Sequence, residues 1–321
     1  MEGVLETIFS FSEGYNYLSR QVCSDFRRIA PETKPLVYLN QLLKDKKPAR
    51  FEPSETLAES ALDLGLFYLL KANKEHIPYD ICDRAAYRGH LEILQWAADK
   101  GYKWDQQTCT YASNTEIYIK LLNWIKDNGC AWNEQTCAYS AFEGQLKVLQ
   151  WLKEQGCPWD KDTCAYAAEA GHLEILQWVR SANCPWDESA CNYAAENGHL
   201  EVLKWLRENG CPWNEWTCSS AAEGGHLEIL QWLREQGCPW DEQTCSSAAE
   251  GGHLEMLQWA RSANCPWDES TCSGAAVGGY LKVLRWARAN GCPWNDNVRF
   301  NALLNGKKEI LQWIDDNGCP E

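Results

Sequence analysis

"EQGCPWDEQTCSSAAEGGHLEMLQWAR", Glu235–Arg261, decides the fold because the chain repeats it. Trp132, Trp159, Trp186, Trp213, Trp240, Trp267 and Trp294 stand 27 residues apart, and Cys130, Cys157, Cys184, Cys211, Cys238, Cys265, Cys292 and Cys319 keep the same step. Trp104 lies 28 before Trp132, so the copy between them, with "YASNTEIYIKLLNW", has one extra residue. A fixed period of this kind is the signature of a solenoid, in which each small unit buries its apolar face only by stacking on the next. It also explains 17 cysteines and 18 tryptophans in 321 residues, since a repeated unit repeats its rare letters.

Each copy reads as two short helices. Asp241, with Asn or Asp at the same place elsewhere, is an N-cap before "EQTCSSAAE", because its short side chain can accept from the first free backbone N–H groups. "GGH" turns the chain, and Leu254 opens a second helix, "LEMLQWARS". Gly156, Gly210 and Gly237 stand at its end, replaced by Asn183 and Asn264 in two copies. Gly and Asn are the residues that accept a left-handed backbone, so this is a helix C′ position. Pro239 and its equivalents follow two residues later. Leu227, Ile229, Leu230, Trp232 and Leu233 form a wide apolar stripe, as expected of a helix packed on both sides.

The net charge of −15 argues against binding phosphate backbones and anionic membranes, which need Lys and Arg. No apolar run reaches the roughly 18 residues of a membrane span, and "MEGVLETIF" places acids where a secretory signal has positive charge. The expectation is a monomeric cytoplasmic or nuclear protein in a reducing compartment, with free thiols, no cofactor, and neither nucleic acid nor membrane as partner.

"AAEGGHLEILQWLREQGC" resembles the ankyrin repeat, whose usual text is "AA..GH..VV..LL..GA", at Ala221, Ala222, Gly225 and His226 as at Ala248, Ala249, Gly252 and His253. The resemblance covers roughly residues 54–321. It implies an all-α, ankyrin-like helix-turn-helix solenoid over 51–321, with a concave groove lined by the first helices. Ankyrin repeats usually run to about 33 residues. Here "CPWDEQ" stands in place of the projecting hairpin, and "TCSS" replaces "TPLH". "LAESALDLGLFYLLKAN" is a degenerate first copy, and "YDICDRAAYRGHLEILQW" from Tyr79 the first good one. In the last, Arg299 stands in a Cys place and Lys307 near the His place, which reads as a polar cap. Trp-rich repeats of this kind resemble those of large DNA viruses of single-celled hosts and of some protists.

Residues 1–50 hold 8 Lys or Arg and 6 Asp or Glu, so with their +2 removed from the total of −15 the remainder carries −17. "VLETIFSFSEGYNYLSRQVCSDFRRIA" resembles an F-box. Val22, Cys23, Phe26, Ile29 and Ala30 match its "VC..W..LA" stretch, with Phe in the Trp place, and Leu5, Ile8 and Phe9 match its first helix; the usual Leu-Pro start is absent. The resemblance implies a small helical domain over 1–50 that binds an Skp1-like adaptor through Leu5, Ile8, Phe9, Val22 and Phe26.

Cys157, Cys164 and His172 show the recurring Cys/His spacing. Structural zinc sites use tighter ligand pairs than this, so the cysteines read as small buried hydrophobes and the histidine as a turn residue bonded to nearby backbone. No metal is expected. The tryptophans read as stacking surface, with the one in "CPW" packed under the loop.

Function then belongs where copies differ. One first-helix position reads Gln107, Gln135, Asp162, Ser189, Trp216, Gln243, Ser270, Asn297; another reads Tyr111, Tyr139, Tyr166, Tyr193, Ser220, Ser247, Gly274, Asn301. Tyr139, Tyr166, Tyr193, Trp216, Ser220 and Ser247 are the candidate partner-binding residues, since aromatic side chains anchor protein interfaces; the alternative is that Tyr and Ser fill space between copies. Glu169, Glu196, Glu223 and Glu250, one turn on, point to a basic partner or to a solvated face. No catalytic triad, phosphate loop or carboxylate pair stands apart from the repeat, so an enzyme is not expected. The reading is a protein-interaction module acting as substrate adaptor of a cullin-type ubiquitin ligase. The competing reading is a scaffold or decoy that binds a protein partner without recruiting a ligase.

Overall fold

The computed structural model describes residues 35–49, 51–112, 119–129 and 132–318. Among the described residues there are 21 α-helices, one short 3-10 helix and no strand. The described residues form the repeated helix pairs of the all-helical, solenoid-like fold that the period predicts. The F-box-like residues Leu5, Ile8, Phe9, Val22 and Phe26 lie outside the described residues. The chain divides into two compact units, Met1–Trp132 and Asn133–Glu321.

In the second unit every copy has the two helices of the opening stretch. The first are Glu134–Phe142, Lys161–Glu169, Glu188–Glu196, Glu215–Glu223, Glu242–Glu250, Glu269–Gly278 and Asp296–Leu304. Asp241 is extended (φ −137°, ψ −167°), and its carboxylate accepts from the Gln243 N–H, which ties down a donor that has no partner inside the helix. The second helices, among them Leu200–Glu208, Leu227–Glu235 and Leu254–Ser262, end where the sequence indicated. Gly210 and Gly237 are left-handed at φ 82° and 78°, and Asn183 and Asn264 take the same conformation at 60° and 62°.

Helices of nine residues are not stable alone in water; packing holds these. The first helices bury Thr, Cys, Ser and Ala, as in Thr244, Cys245, Ser246, Ala248 and Ala249, and side chains this small let neighbouring first helices lie in direct contact. The second helices contribute the larger apolar groups, such as Ile229, Leu230 and Leu233. Leu227 and Trp232, expected within the same stripe, are only half-buried.

Two polar ties fix each copy to the one before. The thiols of Cys184, Cys211, Cys238, Cys265 and Cys292 donate to the N-cap carbonyls of Asp160, Asp187, Asn214, Asp241 and Asp268 at 3.2–3.4 Å. The histidine of the turn donates from Nε2 to the last residue of the preceding first helix: His199 to the Glu169 carbonyl at 2.9 Å and His253 to that of Glu223 at 3.1 Å. The bond expected of this histidine is therefore made, but to a neighbouring copy. A Cβ on Gly225, itself at φ 78°, would stand 2.5 Å from the His253 ring, so both the turn and the docking histidine require glycine there.

In the first unit, Pro35–Lys44 packs on Phe67–Ala72, and the Asn40 side chain accepts from the Leu69 N–H at 3.0 Å. Buried Asn73 joins the degenerate copy to its own start, donating to the Leu69 carbonyl at 2.8 Å and accepting from the Ser54 N–H at 3.1 Å. Arg84 lies 2.8 Å and Arg88 3.3 Å from Asp63; the Arg84 bond holds the Asp63 carboxyl below its usual range despite partial desolvation.

At the other end Lys307 takes the histidine's role, donating to the Gly278 carbonyl at 3.2 Å, and Arg299 pairs with Asp315. The cap is not purely polar as expected. Phe300, Leu303 and Leu304 are 62%, 58% and 73% exposed on the last first helix, Asp296–Leu304.

Candidate partner-binding face

In Glu215–Glu223 the buried residues are Thr217, Cys218, Ser219, Ala221 and Ala222. Of the rest, Trp216, Ser220 and Glu223 are spaced i, i+4, i+7 and therefore share one face of the helix. The neighbouring copies present Gln135, Tyr139, Phe142; Asp162, Tyr166, Glu169; Ser189, Tyr193, Glu196; and Gln243, Ser247, Glu250 at these places. Since first helices lie side by side, the three positions form three columns across the unit.

Tyr166 and Tyr193 are brought together, with ring centroids 6.5 Å apart. Phe142 joins them, edge-on to Tyr166 at 6.3 Å. Tyr139, Tyr166, Tyr193, Ser220 and Ser247 are half-buried, while Trp216 is 58% exposed. Trp216 meets no other aromatic ring among the described residues, so it stands beyond the stripe and not in it. Sequence reasoning missed Phe142, which opens the column that glutamates fill in the next four copies.

Glu169, Glu196, Glu223 and Glu250 make no ion pair among the described residues. Partial burial raises the Glu169 carboxyl. Burial, then the charges of Glu223 and Glu169, raise that of Glu196. The carboxylates of successive copies thus act on one another, and the face is an aromatic stripe bordered by uncompensated negative charge.

The paired tryptophans do different work. Trp159, Trp186, Trp213, Trp240 and Trp267 meet Trp178, Trp205, Trp232, Trp259 and Trp286 edge to face at 5.8–6.0 Å. Over the first ring of each pair sits a cation from the last turn of the preceding second helix: Lys153 at 3.7 Å from Trp159, Arg180 and Arg207 each at 3.8 Å from Trp186 and Trp213. Arg207 also donates to the Cys211 carbonyl at 3.0 Å. The tryptophan of "CPW" is therefore clamped between a cation and its partner indole. The signal was in the sequence, where Lys or Arg recurs six residues before that tryptophan.

Thirteen cysteines from Cys82 to Cys292 form no disulfide, and all are buried. Cys164 is paired with Cys184, and Cys218 with Cys238, across adjacent copies; the partner thiol and burial together push both first-helix thiols strongly up. Metal ligation needs the thiolate, and among the described residues no group of three or more His, Cys, Asp or Glu is placed to hold an ion. The expectation of uniformly free thiols fails at one place: Cys109 is disulfide-bonded. In the first unit an open cleft of about 950 Å³ is lined by Tyr79, Asp80, Asp83, Trp104 and Asp105. Its Asp83 carboxylate accepts the hydroxyl of Thr108 on the next first helix, Gln106–Tyr111, which leaves that oxygen occupied.

A family model described as ankyrin repeats (many copies) matches residues 164–207, 191–234 and 218–261. No curated protein matches the sequence. Among solved structures, the crystal structure of the human ASB11 ankyrin repeat domain is 16% identical, covering 49% of this chain and 84% of that chain with a TM-score of 0.38. The matched windows advance by the chain's own 27-residue step and each spans helices described above, so residues 164–261 are similar to ankyrin repeats, in copies of 27 residues where those usually run to about 33.

Proposed function

We propose that the chain is a protein–protein interaction module that holds a protein partner on the first-helix face, and that residues 1–50 couple it to an Skp1-like adaptor, making it the substrate-recognition subunit of a cullin-type ubiquitin ligase. The observation that carries the first part is the division of labour within a copy. Residues at stacking positions repeat, whereas Gln135, Asp162, Ser189, Trp216 and Gln243 differ on a face that no other part of the described unit covers. Exposed Trp216 and the Phe142–Tyr166–Tyr193 stripe supply the rigid aromatic area typical of interface anchors. The ligase part rests on the F-box-like residues Leu5, Ile8, Phe9, Val22 and Phe26. The absent Leu-Pro start favours a second reading, a scaffold or decoy that binds its partner without a ligase.

Two measurements separate them. A photo-crosslinking amino acid at position 216, compared with one at Gln231 on the second helix, reads which face meets a partner in cells. Capture of a discrete protein at 216 and not at 231 supports the face; the reverse refutes it. Co-purification of an Skp1-like protein that is lost in Phe26→Ala supports the ligase reading, and no such protein with the parent chain selects the scaffold.

A further inference from the structure

This inference rests on the first-helix face being the partner-binding surface and concerns what that surface recognises. Glu169, Glu196, Glu223 and Glu250 are one carboxylate per copy, aligned in one column beside the aromatic stripe. No cation answers them among the described residues, although bases are near in sequence. Arg180, Arg207 and Arg234 are committed elsewhere, each stacked on a tryptophan and donating to a cysteine carbonyl. The neighbouring column changes freely, from Asp162 to Ser189, Trp216 and Gln243, while this one keeps its charge through four copies. Like charges this close oppose folding, so keeping them uncompensated marks a surface suited to an incoming cation.

Packed helices are separated by about 8–10 Å, and a polyproline II segment turns once every three residues with a rise of about 3.1 Å for each, so that every third side chain points the same way. A segment crossing the first helices therefore meets one copy for roughly every three of its residues. Guanidinium fits both halves of the surface, since it forks onto carboxylates and stacks on aromatic rings. We propose that the face binds a protein segment in the polyproline II conformation bearing arginine at every third residue, the guanidiniums meeting Glu169, Glu196, Glu223 and Glu250 in turn, with intervening apolar side chains on Phe142, Tyr166 and Tyr193.

The probe is a labelled peptide of four tandem Arg-Ser-Val triplets, titrated onto the full chain by fluorescence anisotropy. The controls are the same peptide with citrulline for arginine, and one of equal composition with its arginines contiguous. The spaced peptide binds the parent roughly tenfold or more tighter than either control, and loses roughly tenfold or more, the sum of four partly exposed ion pairs, in the protein carrying Glu169→Gln, Glu196→Gln, Glu223→Gln and Glu250→Gln. Circular dichroism verifies that this variant is folded, and the single Glu196→Gln gives a smaller loss in the same direction. Equal binding of the citrulline peptide, or full affinity in the fourfold variant, overturns the proposal; equal binding of the contiguous peptide reduces it to unspecific attraction and overturns it too. If position 216 captures a protein while the arginine peptide fails, the face stands and its chemistry is wrong. If both fail, the face itself is wrong.

Discussion

Arg207 tests whether the cation on the tryptophan holds copies together. Its guanidinium stacks 3.8 Å from the Trp213 ring, which meets Trp232 at 5.9 Å, and it donates to the Cys211 carbonyl at 3.0 Å. Arg207→Met keeps the stem and removes the charge. It loses a charge-assisted hydrogen bond, about 1 kcal/mol at a half-exposed site, a cation–π contact of about 0.5–1 kcal/mol, and a favourable charge at a helix C-terminus of about 0.3 kcal/mol. The sum is about 2 kcal/mol. Arg207→Lys keeps the last two, as Lys153 does over Trp159 at 3.7 Å, and costs about 1 kcal/mol, from the lost hydrogen bond. Urea unfolding followed by far-ultraviolet circular dichroism measures both without disturbing the tryptophan signal, and an unchanged slope shows that cooperativity is intact. Arg207→Met within about 0.5 kcal/mol of the parent, roughly a quarter of that sum, refutes the reasoning. So does a lysine variant as unstable as the methionine one.

Trp216→Ala weakens partner binding about tenfold with the melting temperature unchanged, whereas Trp232→Ala costs about 3 kcal/mol of stability, the low end for a large aromatic because the ring is half-buried; unfolding of the first or full stability of the second reverses the assignment. Glu196 has a raised folded-state pKa, so the folded state takes up its proton more readily than the unfolded chain and loses stability as pH rises through that range. Glu196→Gln should therefore melt slightly higher than the parent at pH 7, with the gap closing below its ordinary value of 4.5; a lower melt at pH 7 contradicts the crowding. The paired thiols, Cys164, Cys184, Cys218 and Cys238 among them, should resist a thiol reagent until the chain is denatured, and the purified protein should carry no zinc; rapid native labelling or several zinc ions per chain would overturn both.

Most of the fold was written locally. Asp241 and Asn214 mark helix starts because a cap needs an acceptor of that length, and Gly237 and Asn264 mark ends because few residues accept a left-handed backbone. What lay between copies was harder to read. Cys265 and His253 could be placed as buried and turn residues, but their acceptors, Asp241 and Glu223, lie 24 and 30 residues back and depend on how copies stack. The stripe on the second helix was read too wide, since periodicity does not say that Leu227 and Trp232 stay half-buried. At the candidate face, Tyr166 and Tyr193 were legible as variable positions, while Phe142 was hidden by its glutamate column and the exposed Phe300, Leu303 and Leu304 by an expectation of polarity at the last copy.

Amide hydrogen exchange of the chain, free and bound to the partner captured at position 216, tests the central claim most directly. Docking across the first helices predicts slowed exchange in Glu134–Phe142, Lys161–Glu169, Glu188–Glu196 and Glu215–Glu223, with Leu146–Glu154, Leu173–Ser181 and Leu200–Glu208 unchanged. Slowing confined to those second helices, or none in either set, would contradict it.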